Sequence, residues 1–382
     1  MSTIIFAAAP AMGHLNASLT LAKSLSARGH EIYYLQGLRY QTYIEDQGVR
    51  FIPLGESIAS GEAQIALLDR LMEFRQHGRP LDDQLLKLIE VFRQQIASLV
   101  RTLKPDLFLV DPYIPDIASI AHQLAAPFVF VNPTLVDISQ LYDAPEVATV
   151  PELVLCPAEF DLPKQAVRGK RKRYFVAAEV NLQRHEELFN WSRINPDKPL
   201  IYCALGTHIE NYSHVQRFFE TIIEAVGNLP QYQLILATVA NPGHDSFKNV
   251  PANVLLLKHA PQLQILQRTS IFITHGGLNS IKEALYYGVP MVVFPCWVDQ
   301  PMNASRIAYH RLGLTGDLPT VTVEEVCALI QKVAATNLYR ERANHFRDII
   351  KQYEEAQVSV TVVEALLRLV ASTPHLAAYA RG

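Results

Sequence analysis

An apolar strand that passes straight into a helix through two glycines limits how this chain can pair its strands. Phe272-Ile273-Thr274 ends in His275-Gly276-Gly277, and Leu278-Asn279-Ser280 opens a helix that carries Glu283. Strands that alternate with helices in this way imply parallel sheets covered on both faces. The turn also brings free backbone N–H groups, hydroxyl and amide donors and an imidazole to one point, which suits a diphosphate. The surrounding stretch, 259–303, starts at His259-Ala260-Pro261-Gln262. It runs through Gly288-Val289-Pro290-Met291 and Pro295 to Asp299-Gln300. Glu283 and the Asp299-Gln300 pair are groups that hydrogen-bond hydroxyls, so the stretch reads as a nucleotide-sugar site.

The same alternation fills the chain. Strands are expected at 4–9, 31–35, 107–110 and 128–131, then at 200–205, 234–239, 254–258, 271–274 and 291–294. A turn at 10–14 leads to a helix over 16–28, with Leu15, Leu19, Ala22 and Leu25 on one face. Further helices are expected at 62–76, 81–103 and 214–227. In parallel sheets ligands bind beyond the carboxyl ends of the strands. His14, Asp111, Gly206, His275 and Asp299 each follow a predicted strand, which implies one composite cleft.

At 382 residues the chain is too long for one ordinary core, so two domains are expected. The boundaries fall at 1–190 and 198–357, with a linker near 179–197 and a last helix, 358–370 within 358–382, crossing back to the first domain. A formal net charge of −3 gives no electrostatic case for nucleic acid. Cys156, Cys203, Cys296 and Cys327 lack CxxC spacing, so neither a zinc site nor a disulfide framework is indicated. The N-terminus reads as a buried strand rather than a signal peptide, and no apolar run spans a bilayer, so the cytoplasm is the expected compartment. The basic run Arg168, Lys170, Arg171, Lys172 and Arg173 reads as a solvated loop; the alternative is weak contact with an anionic membrane surface.

These residues resemble family-1 glycosyltransferases of the UDP-glucosyltransferase type. Their signature has the form W-x-P-Q, T-H-x-G-x-N-S-x-x-E, G-V-P, P and D-Q, and Thr274-His275 through Asp299-Gln300 fits it in order. Gly13-His14 after the first strand and Asp111 after a later one are similar to the family's catalytic positions, so the resemblance covers nearly the whole chain. It implies the GT-B fold, an α/β architecture of two Rossmann-like, doubly wound domains. The acceptor would bind mainly to the N-terminal domain and the donor to the C-terminal one.

The resemblance also implies roles. His14 is the general base, since an imidazole titrates near neutrality and can accept a hydroxyl proton. Asp111 fixes its tautomer and stabilises the imidazolium; Asp116 is the competing acid. His275, Gly276, Gly277, Asn279 and Ser280 hold the diphosphate, with Gly206 and Thr207 as a second contact, and Gly13 is a further donor-binding position. Glu283 takes the two ribose hydroxyls, which favours UDP over dTDP. Asp299 and Gln300 bind the sugar, with Gln300 tied to glucose, and Asn303 is a further donor contact. His259, Ala260 and Gln262 lie at the nucleobase. The family often has Trp where His259 stands, so stacking on uracil is weaker here.

No Asp-x-Asp motif is present, so no metal and no cofactor is expected. The reading is an inverting transfer of glucose from UDP-glucose to a hydroxyl of an apolar small molecule: a polyketide, terpenoid, phenol or carotenoid. The rivals are an epimerase or glycogen-type transferase, a non-catalytic nucleotide-binding relative that activates a partner, and a lipid-directed transferase at a membrane surface. Oligomeric state is not legible.

Overall fold

The structure, a computed structural model, describes residues 1–55, 70–71, 80–138, 147–163, 171–206, 214–238, 247–296 and 299–372. The chain forms two compact units. The first comprises Met1–Cys156, Lys164–Asn181 and Tyr353–Gly382, and the second Pro157–Pro163 and Leu182–Gln352. Residues 157–163 and 182–190 therefore lie in the second unit rather than the first, and 353–357 in the first rather than the second.

In chain order the first unit runs β1 (Thr3–Ala7), α1 (Met12–Ala27), β2 (Glu31–Gln36), α2 (Gln41–Asp46), β3 (Arg50–Pro53), α3 (Asp83–Thr102), β4 (Leu107–Val110), α4 (Pro115–Gln123), β5 (Phe128–Asn132), β6 (Glu152–Val154) and β7 (Arg173–Phe175). The second runs β8 (Leu200–Ala204), α5 (Val215–Gly227), β9 (Gln233–Ala237), β10 (Val254–Leu257), α6 (Gln262–Leu266), β11 (Thr269–Thr274), α7 (Leu278–Tyr286), β12 (Met291–Val293), α8 (Gln300–Tyr309), β13 (Gly313–Thr315), α9 (Val323–Ala334) and α10 (Leu338–Glu355). The last helix, α11 (Val358–Ser372), belongs to the first unit. Most of the 62–76 helix expected from the sequence falls outside the described residues.

Each unit holds one sheet, parallel at every pairing among the described residues. The orders are β3-β2-β1-β4-β5-β6-β7 and β10-β9-β8-β11-β12-β13. The apolar runs of the strands follow from burial on both faces. Along β1 and just beyond, Ile4, Phe6 and Ala8 pack with Leu15 and Leu19 of α1, whereas Ile5, Ala7 and Ala9 pack with Leu88 and Phe92 of α3.

Helix α1 starts at Met12, four residues before the expected 16. Ala11 is the extended N-cap, with no side-chain cap, and its carbonyl accepts the amides of His14 and Leu15, both at 3.0 Å. Gly13 and His14 thus lie in the first helical turn, not in a connecting loop.

Helix α11 closes one face of the first sheet. Val360, Val363 and Leu366 join the cluster around Leu15 and Leu19, and the Ser359 hydroxyl accepts the Ala177 amide at 3.1 Å. Truncating a buried leucine removes its transfer energy and leaves a cavity, so Leu366→Ala is expected to cost about 2–5 kcal/mol. A urea titration should show the midpoint falling accordingly; an unmoved midpoint would mean that α11 is not part of this core.

The basic run is tied down where it is described. Arg171 donates to the Val150 carbonyl at 2.8 Å and lies 4.8 Å from the Phe130 ring centroid. Lys172 lies over Tyr174, and Arg173 pairs with Glu152 at 3.3 Å. Arg168 and Lys170 lie outside the described residues. The four cysteines are free thiols, and burial pushes Cys203 upward and Cys296 up to about 11. Among the described residues no helix is long and apolar enough to cross a membrane.

Candidate active site

In a doubly wound sheet the loops diverge at the point where strand order reverses, and ligands bind there. In the first sheet that point lies between β1 and β4, and in the second between β8 and β11. The sequence sets its candidate residues on these four strand ends: His14 and Asp111 follow β1 and β4, and Gly206 and His275 follow β8 and β11.

In the first unit the two candidates meet. The His14 Nδ1–H donates to Asp111 Oδ2 at 2.6 Å, because an ionised carboxylate only accepts. Asp111 is buried, and its Oδ1 accepts the Tyr113 amide at 2.9 Å. The edge of the Tyr113 ring meets the imidazole at 5.0 Å between centroids. From behind, the Ser18 hydroxyl donates to the His14 carbonyl at 2.7 Å and bonds Tyr34 Oη at 2.5 Å. The imidazole is therefore held by a carboxylate, a ring and its own helix. Asp116, the competing acid, lies in the first turn of α4.

In the second unit the His275 ring is fixed by glycines. Gly206 has φ +81°, and a Cβ there would lie 2.9 Å from His275 Cε1 and Nε2; a Cβ on Gly277 would lie 2.5 Å from Nε2. Gly276 has φ +87°, a conformation that side chains resist. Gly277 is the N-cap of α7, so Leu278, Asn279 and Ser280 form its first turn. Helix starts leave amides without intrahelical partners and carry partial positive charge, as an anion site requires. Thr207, expected as the second phosphate contact, lies outside the described residues.

Glu283 is buried, one turn along α7. Arg184 lays its guanidinium across the carboxylate, Nη1 on Oε1 and Nη2 on Oε2, the latter at 3.1 Å. Gln262 Nε2 donates to Oε2 at 2.7 Å, and Gln262 Oε1 accepts from Tyr202 at 3.2 Å. Glu186 holds Arg184 from the other side, at 3.0 Å to Nε, and accepts the Leu263 amide at 3.0 Å, anchoring the first turn of α6. Burial opposes the charge on Arg184, but Glu283 and Glu186 outweigh it and keep the guanidinium above its ordinary range. His259, on the loop after β10, is exposed and Ala260 is half-buried.

Asp299 and Gln300 open α8. Asp299 occupies the N-cap without capping through its side chain; its Oδ2 accepts from Asn303 at 2.8 Å. Gln300 is buried, and its Oε1 accepts the Cys296 amide at 2.8 Å. Asn303, expected against the donor, is fully buried and donates to the Gly276 carbonyl at 2.9 Å. It holds the Gly276 turn in place from behind. Arg306 donates to its Oδ1 at 3.0 Å and to Asp161 at 2.9 Å. Arg184, Glu186, Arg306 and Asp161 were not among the expected site residues. Their distant partners lie 77 to 145 residues away in the chain, and no local spacing reveals those contacts. Among the described residues no group of three or more His, Cys, Asp or Glu side chains could hold a metal ion.

Two parallel sheets with polar sets at both switch points define a GT-B glycosyltransferase. Residues 176–377, more than half of the chain, match the UDP-glucoronosyl and UDP-glucosyl transferase family, and the chain belongs to that family. It is similar to the NDP-glycosyltransferase YjiC of Bacillus subtilis, 23% identical with 94% of this chain and 96% of the relative covered. It is also similar to the demethyllactenocin mycarosyltransferase of Streptomyces fradiae, 26% identical over 96% of this chain and 87% of the relative. The fold matches the crystal structure of the glycotransferase of kitacinnamycin with a TM-score of 0.75, at 24% identity and with 96% and 98% of the two chains covered. The protein is an enzyme that transfers a sugar from a nucleotide sugar.

Proposed function

We propose that this glycosyltransferase is inverting, needs no metal, and moves glucose from UDP-glucose to a hydroxyl of an apolar small molecule such as a polyketide, terpenoid, phenol or carotenoid. The observation that carries the reading is the His14–Asp111 bond of 2.6 Å at a switch point. With Nδ1 committed to the carboxylate, Nε2 takes the proton of the acceptor hydroxyl. The acceptor oxygen attacks the anomeric carbon on the face opposite the diphosphate. The carbon–oxygen bond to the phosphate breaks, its electron pair leaves on UDP, and an α-linked donor yields a β-glycoside. Asp111 stabilises the imidazolium formed. His275 and the first turn of α7 stabilise the charge that grows on the diphosphate, which is more valuable in the transition state than before it. The name of the Streptomyces fradiae relative, with demethyllactenocin in it, supports a small-molecule acceptor.

The test is UDP release from UDP-glucose with a panel of apolar hydroxylated acceptors in EDTA, with the anomeric proton of each product read by NMR. Acceptor-dependent release and a β-linked product are the expected result. An α-linked product, or release that EDTA abolishes, would overturn the inverting or the metal-free part respectively.

A further inference from the structure

Glu283 has little left to offer a ribose. A carboxylate presents about four lone-pair positions. Arg184 occupies one on each oxygen, and Gln262 takes a second on Oε2 at 2.7 Å. One position remains, on Oε1. The clamp is not a loose surface pair: the Arg184 and Glu283 side chains are 13% and 7% exposed, and Glu186 locks the guanidinium through Nε at 3.0 Å and Nη2 at 2.9 Å. Nor can Gln262 swing away freely, since its Oε1 is held by Tyr202.

We propose that Arg184 and Gln262 reduce Glu283 to a single acceptor for the pentose, so that the donor site does not require a 2′-hydroxyl. The inference rests on the reading of Glu283 as the residue that meets the nucleoside. Ribose brings two vicinal hydroxyls and 2′-deoxyribose keeps the 3′ one. A site rejects an analogue that lacks a hydroxyl because a buried polar group is then left without its partner. Here the 3′-hydroxyl alone fills the remaining position, and the other lone pairs stay on Arg184 and Gln262. As far as the pentose decides, a thymidine diphosphate sugar is as acceptable as a uridine diphosphate sugar. Arg184 is thus a positioning residue that sets specificity through Glu283.

UDP and dUDP share a base and differ only at the 2′ position. Their Kd values for the full chain are expected to agree within about threefold, because no buried group loses a partner. Arg184→Met, which keeps the apolar stem and frees a lone pair on each oxygen, should raise the preference for UDP at least about tenfold, within the range of one hydrogen bond to a charged group. Breaking a buried pair can unfold a chain, so Arg184→Lys repeats the test with the charge kept and should give an intermediate ratio. A wild-type preference for UDP above about tenfold, or a ratio that neither variant moves, overturns this inference alone. If the folded wild type binds neither nucleotide, the donor-site reading falls and takes the inference with it.

Discussion

Replacing His14 with alanine is expected to lower turnover by about 10²–10⁴-fold, the usual contribution of a positioned general base. UDP affinity should change far less than turnover, since the residues proposed to hold the nucleotide lie, Gly13 apart, in the second unit. Asp111→Asn keeps the shape but removes the charge that faces Nδ1 at 2.6 Å. It should cost a similar order, because the imidazolium then forms without its counter-charge. His14→Ala also leaves the buried Asp111 Oδ2 without its partner, at about 1–3 kcal/mol of stability, so turnover is compared below the melting temperature of each variant. Initial rates at saturating UDP-sugar decide the matter. A His14→Ala enzyme with wild-type turnover would leave the histidine as a helix-start residue and require another base, Asp116 being the first to test.

The second large effect is expected from a single methyl group. Gly277→Ala would place a Cβ 2.5 Å from His275 Nε2 and 3.0 Å from Cε1. The imidazole must leave its place beside the first turn of α7, and a displaced donor no longer meets the charge that develops on the diphosphate. Loss of one such donor costs about 10²–10³-fold in turnover. Gly277→Ala and His275→Ala should therefore fall together in kcat, with UDP affinity reduced far less than turnover. If Gly277→Ala keeps its rate while His275→Ala loses it, the ring tolerates displacement and the packing argument fails.

Both predictions use residues that the sequence makes visible, and the reason is physical. Strands buried on both faces are continuous apolar runs, so 107–110 and 271–274 stand out, and the residues after them mark the binding edge. The strands Arg50–Pro53, Glu152–Val154, Arg173–Phe175 and Gly313–Thr315 are as short as others that stand out, but Arg50, Glu152, Arg173 and Thr315 break their apolar runs, so no continuous run marks them. The start of α1 was misplaced because Gly13 is a poor helix former and Ala11 supplies no side-chain cap. The candidates at the strand ends were legible one by one. What tightens them was not. Asp161 precedes the expected linker yet packs with Arg306, 145 residues on. Glu283 looked like a free ribose ligand because Arg184, which occupies it, is 99 residues upstream on a segment without periodicity. Sequence spacing records neighbours along the chain, and these contacts depend on topology.

The return of α11 to the first unit has a consequence for how the protein is made. The sheet of the unit that carries His14 waits for residues beyond 353 before its core is covered, although its strands are synthesised first. The second unit, Leu182–Gln352, lies in one continuous stretch apart from residues 157–163. At roughly 5–20 residues per second, synthesis of the intervening stretch leaves the earlier half uncovered for on the order of ten to forty seconds. The order of completion on the ribosome is thus the reverse of the order of translation: the unit that carries His275 is finished first, and the unit that carries His14 is finished last. Until then the face that Val360, Val363 and Leu366 come to cover, with Leu15 and Leu19 in it, stays bare on the nascent chain.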